Sequence, residues 1–213
     1  MSQDEAGPVR LVLTLAIAGL ISGVVIVGIY LLTLPRIRRN QAQALLSAVD
    51  DVLALGSGST KKAFVVKEGK LVEFERPLLE GLPKEAAVYA AYCADGELVG
   101  YAIPGATAGF QDTVALLYGF DPKTKQVTGM KVLESKETPG LGDKILKDQA
   151  FLAQFRGLSF ASPLVGVKPG TRSKRSEVDV ISGATISSKA VLKAMNQAHL
   201  LWEPLLLGAG GKP

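Results

Sequence analysis

The sequence predicts an α+β protein: a single N-terminal transmembrane helix, then a domain with an antiparallel sheet and flanking helices. Three observations predict it. Leu11 to Leu34 is a run of 24 residues without a charge, whereas the rest of the chain reads as a mixed globular sequence. Short apolar segments separated by hairpin turns fill the middle of the chain. Helical periodicity appears before them and again at the C-terminal end.

The uncharged run explains how a chain with 21% charged residues reaches a mean hydropathy of +0.25. As a helix it is roughly 36 Å long, enough to cross a hydrocarbon core of about 30 Å with some tilt. Residues 1–10 form a leader with one arginine and two acids, a poor start for a signal peptide, and the run exceeds the ~7–15 residues of a signal-peptide core. Ala16-Ile17-Ala18 resembles a cleavage site but lies inside the run. Residues 11–34 therefore read as a permanent anchor in contact with membrane lipid. Gly19, Gly23 and Gly28 fall at near-helical spacing, where a partner helix could approach closely.

Pro35 is expected to end the anchor and to open a juxtamembrane helix and linker over 35–60. Ile37, Ala44, Leu45, Ala48, Val52 and Leu55 recur at three- and four-residue steps, and Gly56-Ser57-Gly58-Ser59 stops the pattern. The domain proper spans 61–207, with a short tail at 208–213. Its strands are expected at 63–67 and 71–75, at 86–94 and 97–103 around Asp95-Gly96, and at 113–120 and 126–133 around Asp121-Pro122-Lys123. A short helix is expected at 149–155 and a strand at 177–181. A final helix from Ser187 to about Leu206 carries Val191, Met195, Ala198 and Trp202 on its core face.

Composition excludes several chemistries. Beyond position 34 there are 23 Lys+Arg and 18 Asp+Glu with interspersed signs, which is too mild for nucleic acid. The densest basic stretch, Lys168 to Arg175, reads as a solvated loop, with a surface for an acidic partner as the alternative. One cysteine, Cys93, and one histidine, His199, cannot build a disulfide, an iron–sulfur cluster, a haem attachment or a Cys/His zinc site within this chain. Cys93 is expected to be buried, and His199 to be a packed or surface residue. No paired carboxylates or nucleophile–histidine arrangement suggests acid/base catalysis. Redox chemistry would have to rest on an organic cofactor.

Two segments carry the candidate chemistry. Glu137-Thr138-Pro139-Gly140-Leu141-Gly142-Asp143-Lys144 packs two glycines and a proline into a tight turn, where backbone can approach a ligand. Asp179-Val180-Ile181-Ser182-Gly183-Ala184-Thr185-Ile186-Ser187 runs from a strand into a helix N-terminus. Unpaired N–H groups and the helix dipole favour phosphate there, with hydroxyls from Ser182, Thr185, Ser187 and Ser188. Simple N-capping by serine or threonine is the competing explanation.

The second segment resembles the signature of the FMN-binding domain family, Asp-x-x-(Ser/Thr)-Gly-Ala-Thr, at Asp179, Ser182, Gly183, Ala184 and Thr185. The resemblance implies FMN joined through its phosphate to Thr185 by a dedicated flavin transferase. Gly105-Ala106-Thr107 repeats the last three residues, but Tyr101 stands where the signature requires aspartate, so Thr107 is a decoy. Together with the single span, Gly100-Tyr101 and the stretch 137–145, the chain resembles the G-subunit family of Rnf electron-transport complexes. It is similar, less closely, to the C subunits of sodium-pumping NADH:quinone reductases.

The first of these resemblances implies a membrane-anchored flavoprotein that passes electrons among the other subunits of a ferredoxin:NAD oxidoreductase complex coupled to ion translocation. Implied flavin contacts are Asp179, Ser182, Gly183, Ala184, Glu137, Thr138, Leu141 and Gly142. A flavinylated subunit of another membrane electron-transfer chain, or a noncatalytic membrane-anchored scaffold, are the alternatives. Arg36, Arg38 and Arg39 favour a cytoplasmic C-terminal domain by the positive-inside count. The resemblance instead implies a bacterial inner-membrane protein whose flavin domain faces the outer, periplasmic side, and the charge rule is weak for a single span with a large domain.

Overall fold

The computed structural model describes residues 7–208, Ser57 and Lys84 excepted; most of the expected leader and tail, at 1–6 and 209–213, lies outside the described residues. The chain divides into two compact units, the first ending at Gln41 and the second beginning at Ala42. Helix α1 (Pro8–Leu53) contributes to both. In the first unit its large apolar side chains from Val9 to Leu32 are exposed, and the segment is long and apolar enough to cross a membrane. An added Cβ at Gly19, Gly23 or Gly28 meets nothing within 4 Å beyond the helix's own neighbouring backbone, so among the described residues no other element packs on these glycines.

Pro35 does not end the helix, contrary to the sequence expectation. A proline removes one N–H donor from the ladder and crowds the preceding turn. The Thr33 hydroxyl donates to the carbonyls of Ile29 (2.9 Å) and Tyr30 (3.1 Å) in that turn, adding bonds where the ladder is weakened.

The second unit is built on a six-stranded sheet of β1 (Thr60–Lys67), β2 (Lys70–Glu73), β3 (Ala87–Tyr92), β4 (Leu98–Ala108), β5 (Thr113–Asp121) and β6 (Gln126–Glu134). Its order is β2-β1-β3-β4-β5-β6, and every pair is antiparallel. The hairpins expected at Asp95-Gly96 and Asp121-Pro122-Lys123 form. Gly96 takes a positive φ of 83°, and Asp121 accepts the Lys123 N–H on its side chain (2.8 Å).

Burial on both faces explains why the central strands read as nearly continuous apolar runs. Phe64, Val88, Ala90, Tyr101, Ile103, Leu116, Tyr118 and Phe120 point to one face and pack with α4 (Thr185–Gly208) through Val191, Met195, Ala198 and Trp202. The alternate residues Ala63, Val65, Ala87, Tyr89, Ala91, Ala102 and Leu117 point to the other face. They pack with Leu45, Ala48, Val49, Val52 and Leu53, the C-terminal part of α1. The close approach is enforced at Gly119, where a Cβ would collide with the Val52 carbonyl and the Thr128 hydroxyl.

Three short elements had no clear sequence signal: α2 (Lys144–Lys147), α3 (Gln149–Ala153) as an element separate from α2, and β7 (Val165–Val167). β7 pairs in parallel with β8 (Glu177–Asp179), so the domain is not wholly antiparallel. Cys93 is exposed rather than buried, because β3 ends at Tyr92 and the cysteine falls in the turn.

Trp202 is 2% exposed at the centre of the α4 face. Trp202→Ala should destabilise the domain by about 3–5 kcal/mol, read by denaturant unfolding followed by circular dichroism. A loss below about 1 kcal/mol would contradict its place in the core.

Candidate functional site: a cavity at the start of the last helix

The turn before α4 is set by one glycine. Ala184 N–H donates to the Ile181 carbonyl (2.9 Å), and Gly183 at the third position has φ +82°, a conformation a side chain would oppose. Ser188 holds this turn from inside, accepting the Ile181 N–H (3.1 Å) and donating to the Ala184 carbonyl (2.8 Å). The Ser188 N–H also reaches the Ala184 carbonyl (2.9 Å). The N–H groups of Thr185, Ile186 and Ser187 precede that first helical bond, so they have no partner within the helix and lie at the positive end of a 24-residue dipole.

Glu137 joins three separate segments beside this turn. Its Oε1 accepts the N–H groups of Phe110 (2.8 Å) and Gln111 (3.0 Å) in the β4–β5 loop, and its Oε2 accepts the Ser187 hydroxyl (2.5 Å). Gly142 is bare against it: a Cβ there would lie 2.8 Å from Glu137 Oε2 and 2.9 Å from Ser187 Oγ. Burial alone pushes the Glu137 carboxyl up. The Ser187 hydroxyl and the N–H groups of Gln111 and Phe110 outweigh that effect and hold it below its ordinary value.

These segments enclose a cavity of about 320 Å³ lined by Phe110, Glu137, Thr138, Leu141, Gly142, Gly183, Ala184, Thr185, Ile186 and Ser187. Seven of the nine residues expected from the sequence are thus brought together, although the two motifs are some forty residues apart in the chain. Asp179 and Ser182 do not line the cavity. Asp179 is fixed in β8 by Gln154, which accepts its N–H (2.8 Å) and donates to its carbonyl (3.2 Å), and its Oδ1 is buried without a hydrogen-bond partner. Ser182 is exposed in the turn.

Phe110 and Ile186 were missed: Phe110 lies in no recognisable pattern, and Ile186, although inside the 179–187 segment, carries no polar group to mark it. With Leu141 they form an apolar rim, 63%, 55% and 51% exposed respectively. His199 is elsewhere, buried with its ring stacked on Phe160.

The four candidate hydroxyls now separate. Ser188 is buried and committed to the turn, Ser187 is bonded to Glu137, and Ser182 lies off the cavity. Thr185 lines the cavity, is exposed, and makes no side-chain hydrogen bond among the described residues. Thr107 is paired with Val114 within the sheet.

Residues 109–199 match the model of the FMN-binding domain family. Over this segment, under half of the chain, the sequence is similar to that family. The matched segment begins at the β4–β5 loop and contains every residue that lines the cavity. The chain is 34% identical over 128 residues to the G subunit of the Na(+)-translocating ferredoxin:NAD(+) oxidoreductase complex of Acetobacterium woodii. That alignment covers 59% of this chain and 60% of the relative, under two thirds of its length. The G subunit of the proton-translocating ferredoxin:NAD(+) oxidoreductase complex of Clostridium ljungdahlii is 27% identical, over 99% of this chain and 98% of its own.

In fold the chain is similar to the C subunit of the Na(+)-translocating NADH-quinone reductase of Parabacteroides distasonis. The TM-score is 0.63 at 22% identity, covering 80% of this chain and 94% of that one. The resemblance to Rnf G subunits and the α+β fold with flanking helices therefore hold.

The cavity fits FMN chemically. Bare N–H groups at a helix N-terminus suit a phosphate, and an apolar rim suits a flat ring system.

Glu137→Ala leaves two N–H groups and a buried hydroxyl without their acceptor, at a cost of about 1–3 kcal/mol in unfolding free energy. Because the folded carboxyl is held below its ordinary value of 4.5, its contribution is complete above that pH and is lost as the pH falls toward the depressed value. Unfolding free energy should therefore fall more steeply in acid for the natural chain than for Glu137→Gln. Equal slopes would contradict an ionised Glu137.

Proposed function

We propose that this chain is the membrane-anchored flavoprotein subunit of an Rnf-type ferredoxin:NAD oxidoreductase complex coupled to ion translocation, with FMN esterified through its phosphate to Thr185. The observation that carries it is that Thr185 alone, among the signature hydroxyls, both lines the cavity and is free of internal bonds. Thr185 Oγ1 would hold the FMN phosphate as an ester, its Oγ1–P bond formed as a phosphoanhydride P–O bond of an activated flavin supplied by the flavin transferase breaks, the hydroxyl proton passing to the departing phosphate. The N–H groups of Ile186 and Ser187 then stand beside the phosphate charge.

FMN supplies the electron chemistry, since it can accept and release electrons singly. The chain's part is to hold the ring at a fixed place and to exclude water from part of it. Phe110, Leu141 and Ile186 give apolar contact, and Glu137 fixes the loops that carry them. Thr138 and Gly142 complete the wall, while Gly183 and Ala184 keep the backbone low enough for the phosphate. Ser182, exposed in the turn, and Asp179, fixed in β8 before it, lie off the cavity wall and belong to the signature the flavin transferase reads. Partners are the other subunits of the complex, with the apolar anchor in the lipid of a bacterial inner membrane and the flavin domain on its outer side.

A denaturing gel tests the attachment. Protein made with a flavin transferase should fluoresce at its own band, as should Thr107→Val, whereas Thr185→Val should be dark. Fluorescence persisting in Thr185→Val would overturn the site. Orientation is read from the exposed native Cys93: an impermeant maleimide should label it in cells whose outer membrane alone has been opened. Labelling only after lysis would place the domain on the cytoplasmic side.

A further inference from the structure

Charge is less evenly spread than the overall interspersion suggested. Residues 61–148 hold 12 Lys+Arg and 13 Asp+Glu, whereas residues 149–202 hold seven against two. Within this basic part, a groove of about 340 Å³ runs between β7 and the exposed flank of α4. Its apolar lining includes Leu164, Leu192, Val165 (53% exposed) and Leu200 (74% exposed), and Lys189 and Lys193 border it. Neither lysine, nor Lys168 at the end of β7, forms an ion pair among the described residues.

The backbone beside the groove is an open strand edge. Val165 N–H bonds the Ser176 carbonyl (2.9 Å) and Val180 N–H bonds the Val167 carbonyl (3.0 Å), so Val165 and Val167 face β8. Alternation turns the N–H and C=O of Gly166 to the opposite edge. On that edge one position is already satisfied by a side chain acting as a strand would. Asn196 of α4 accepts the Leu164 N–H (2.8 Å) and donates to the Leu164 carbonyl (2.9 Å). Gly166 follows with no such partner among the described residues. A Cβ there would lie 2.7 Å from Val180 Cγ1, 3.3 Å from Leu192 Cδ1 and 3.4 Å from Lys189 Cγ, so the face of β7 at Gly166 packs closely on α4, with the Lys189 stem among its neighbours.

We propose that the groove between β7 and α4 docks an extended acidic segment of a partner protein. Main-chain groups of that segment pair with Gly166, an apolar side chain fills the groove, and carboxylates meet Lys189, Lys193 and Lys168. A concave apolar floor with an open strand edge suits a peptide better than a flat headgroup surface. The proposal rests on the reading of this chain as one subunit of an electron-transport complex. Ile186 on the rim of the flavin cavity and Lys189, Lys193 and Leu200 in the groove share the exposed flank of one helix, so such a partner would be held near the flavin.

The test places p-benzoylphenylalanine at Val165 or Leu200 in the full-length chain in its native membrane, with Val72 on β2 as the control position. After irradiation, adducts at Val165 and Leu200 should map by peptide sequencing to an Asp/Glu-rich segment of a partner. Their yield should fall by roughly tenfold in a Lys189→Glu/Lys193→Glu background. Band fluorescence from the flavin should persist in that background, which reports a folded domain and keeps this test separate from the flavin assignment. If fluorescence is lost, Lys189→Gln/Lys193→Gln replaces it with the same expected direction. Adducts only on phospholipid, on a segment without acids, or at yields equal to Val72 would overturn the proposal, as would yields unmoved by the lysine substitutions.

Discussion

The buried carboxylate of Glu137 is the contact on which the candidate site depends. It accepts from the β4–β5 loop and from the first turn of α4 while standing at the start of the Gly140–Gly142 turn. A carboxylate taken out of water is costly unless its lone pairs are satisfied. Here two N–H groups and a hydroxyl satisfy it, so the cost of burial is offset only when all three segments are in place. That makes the cavity a single cooperative arrangement rather than three mobile loops meeting by chance.

The sheet supports this arrangement from below. Both faces are covered, one by the end of α1 and the other by α4, so the strands cannot shift register without exposing one apolar set. The start of α4 is therefore fixed by the same packing that buries Trp202 and Met195. Under the proposed function such rigidity would serve an electron carrier, whose cofactor must stay at constant distance and in constant surroundings. The anchor and the proposed ester would then be two forms of one constraint, holding the protein to the membrane and the flavin to the protein.

Much of this was legible in the sequence where local chemistry decides structure. Asp95-Gly96 specified its hairpin, the 24-residue apolar run specified a helix, and the apolar stripe Val191–Trp202 specified the buried face of α4. Asp179 to Thr185 marked a strand running into a helix start, and β8 and α4 meet there. Pro35 reads locally as a stop, but the helix runs through it, with the Thr33 hydroxyl bonded into the turn before it. Features set by distant partners were not legible. β7 has only three residues, and nothing local marks its parallel pairing with β8. Phe110 reaches the cavity where Glu137 holds its backbone, and Cys93 is exposed because its strand stops two residues before the expected end. The division of labour among the four hydroxyls is likewise a property of the fold.

Mass spectrometry of the natural protein tests the central claim most directly. Trypsin should release Ser176–Lys189 as one peptide. That peptide should be heavier by FMN less one water, with fragment ions that place the addition on Thr185. An unmodified peptide from protein made with the flavin transferase, or an addition on Ser182, Ser187 or Ser188, would contradict the claim.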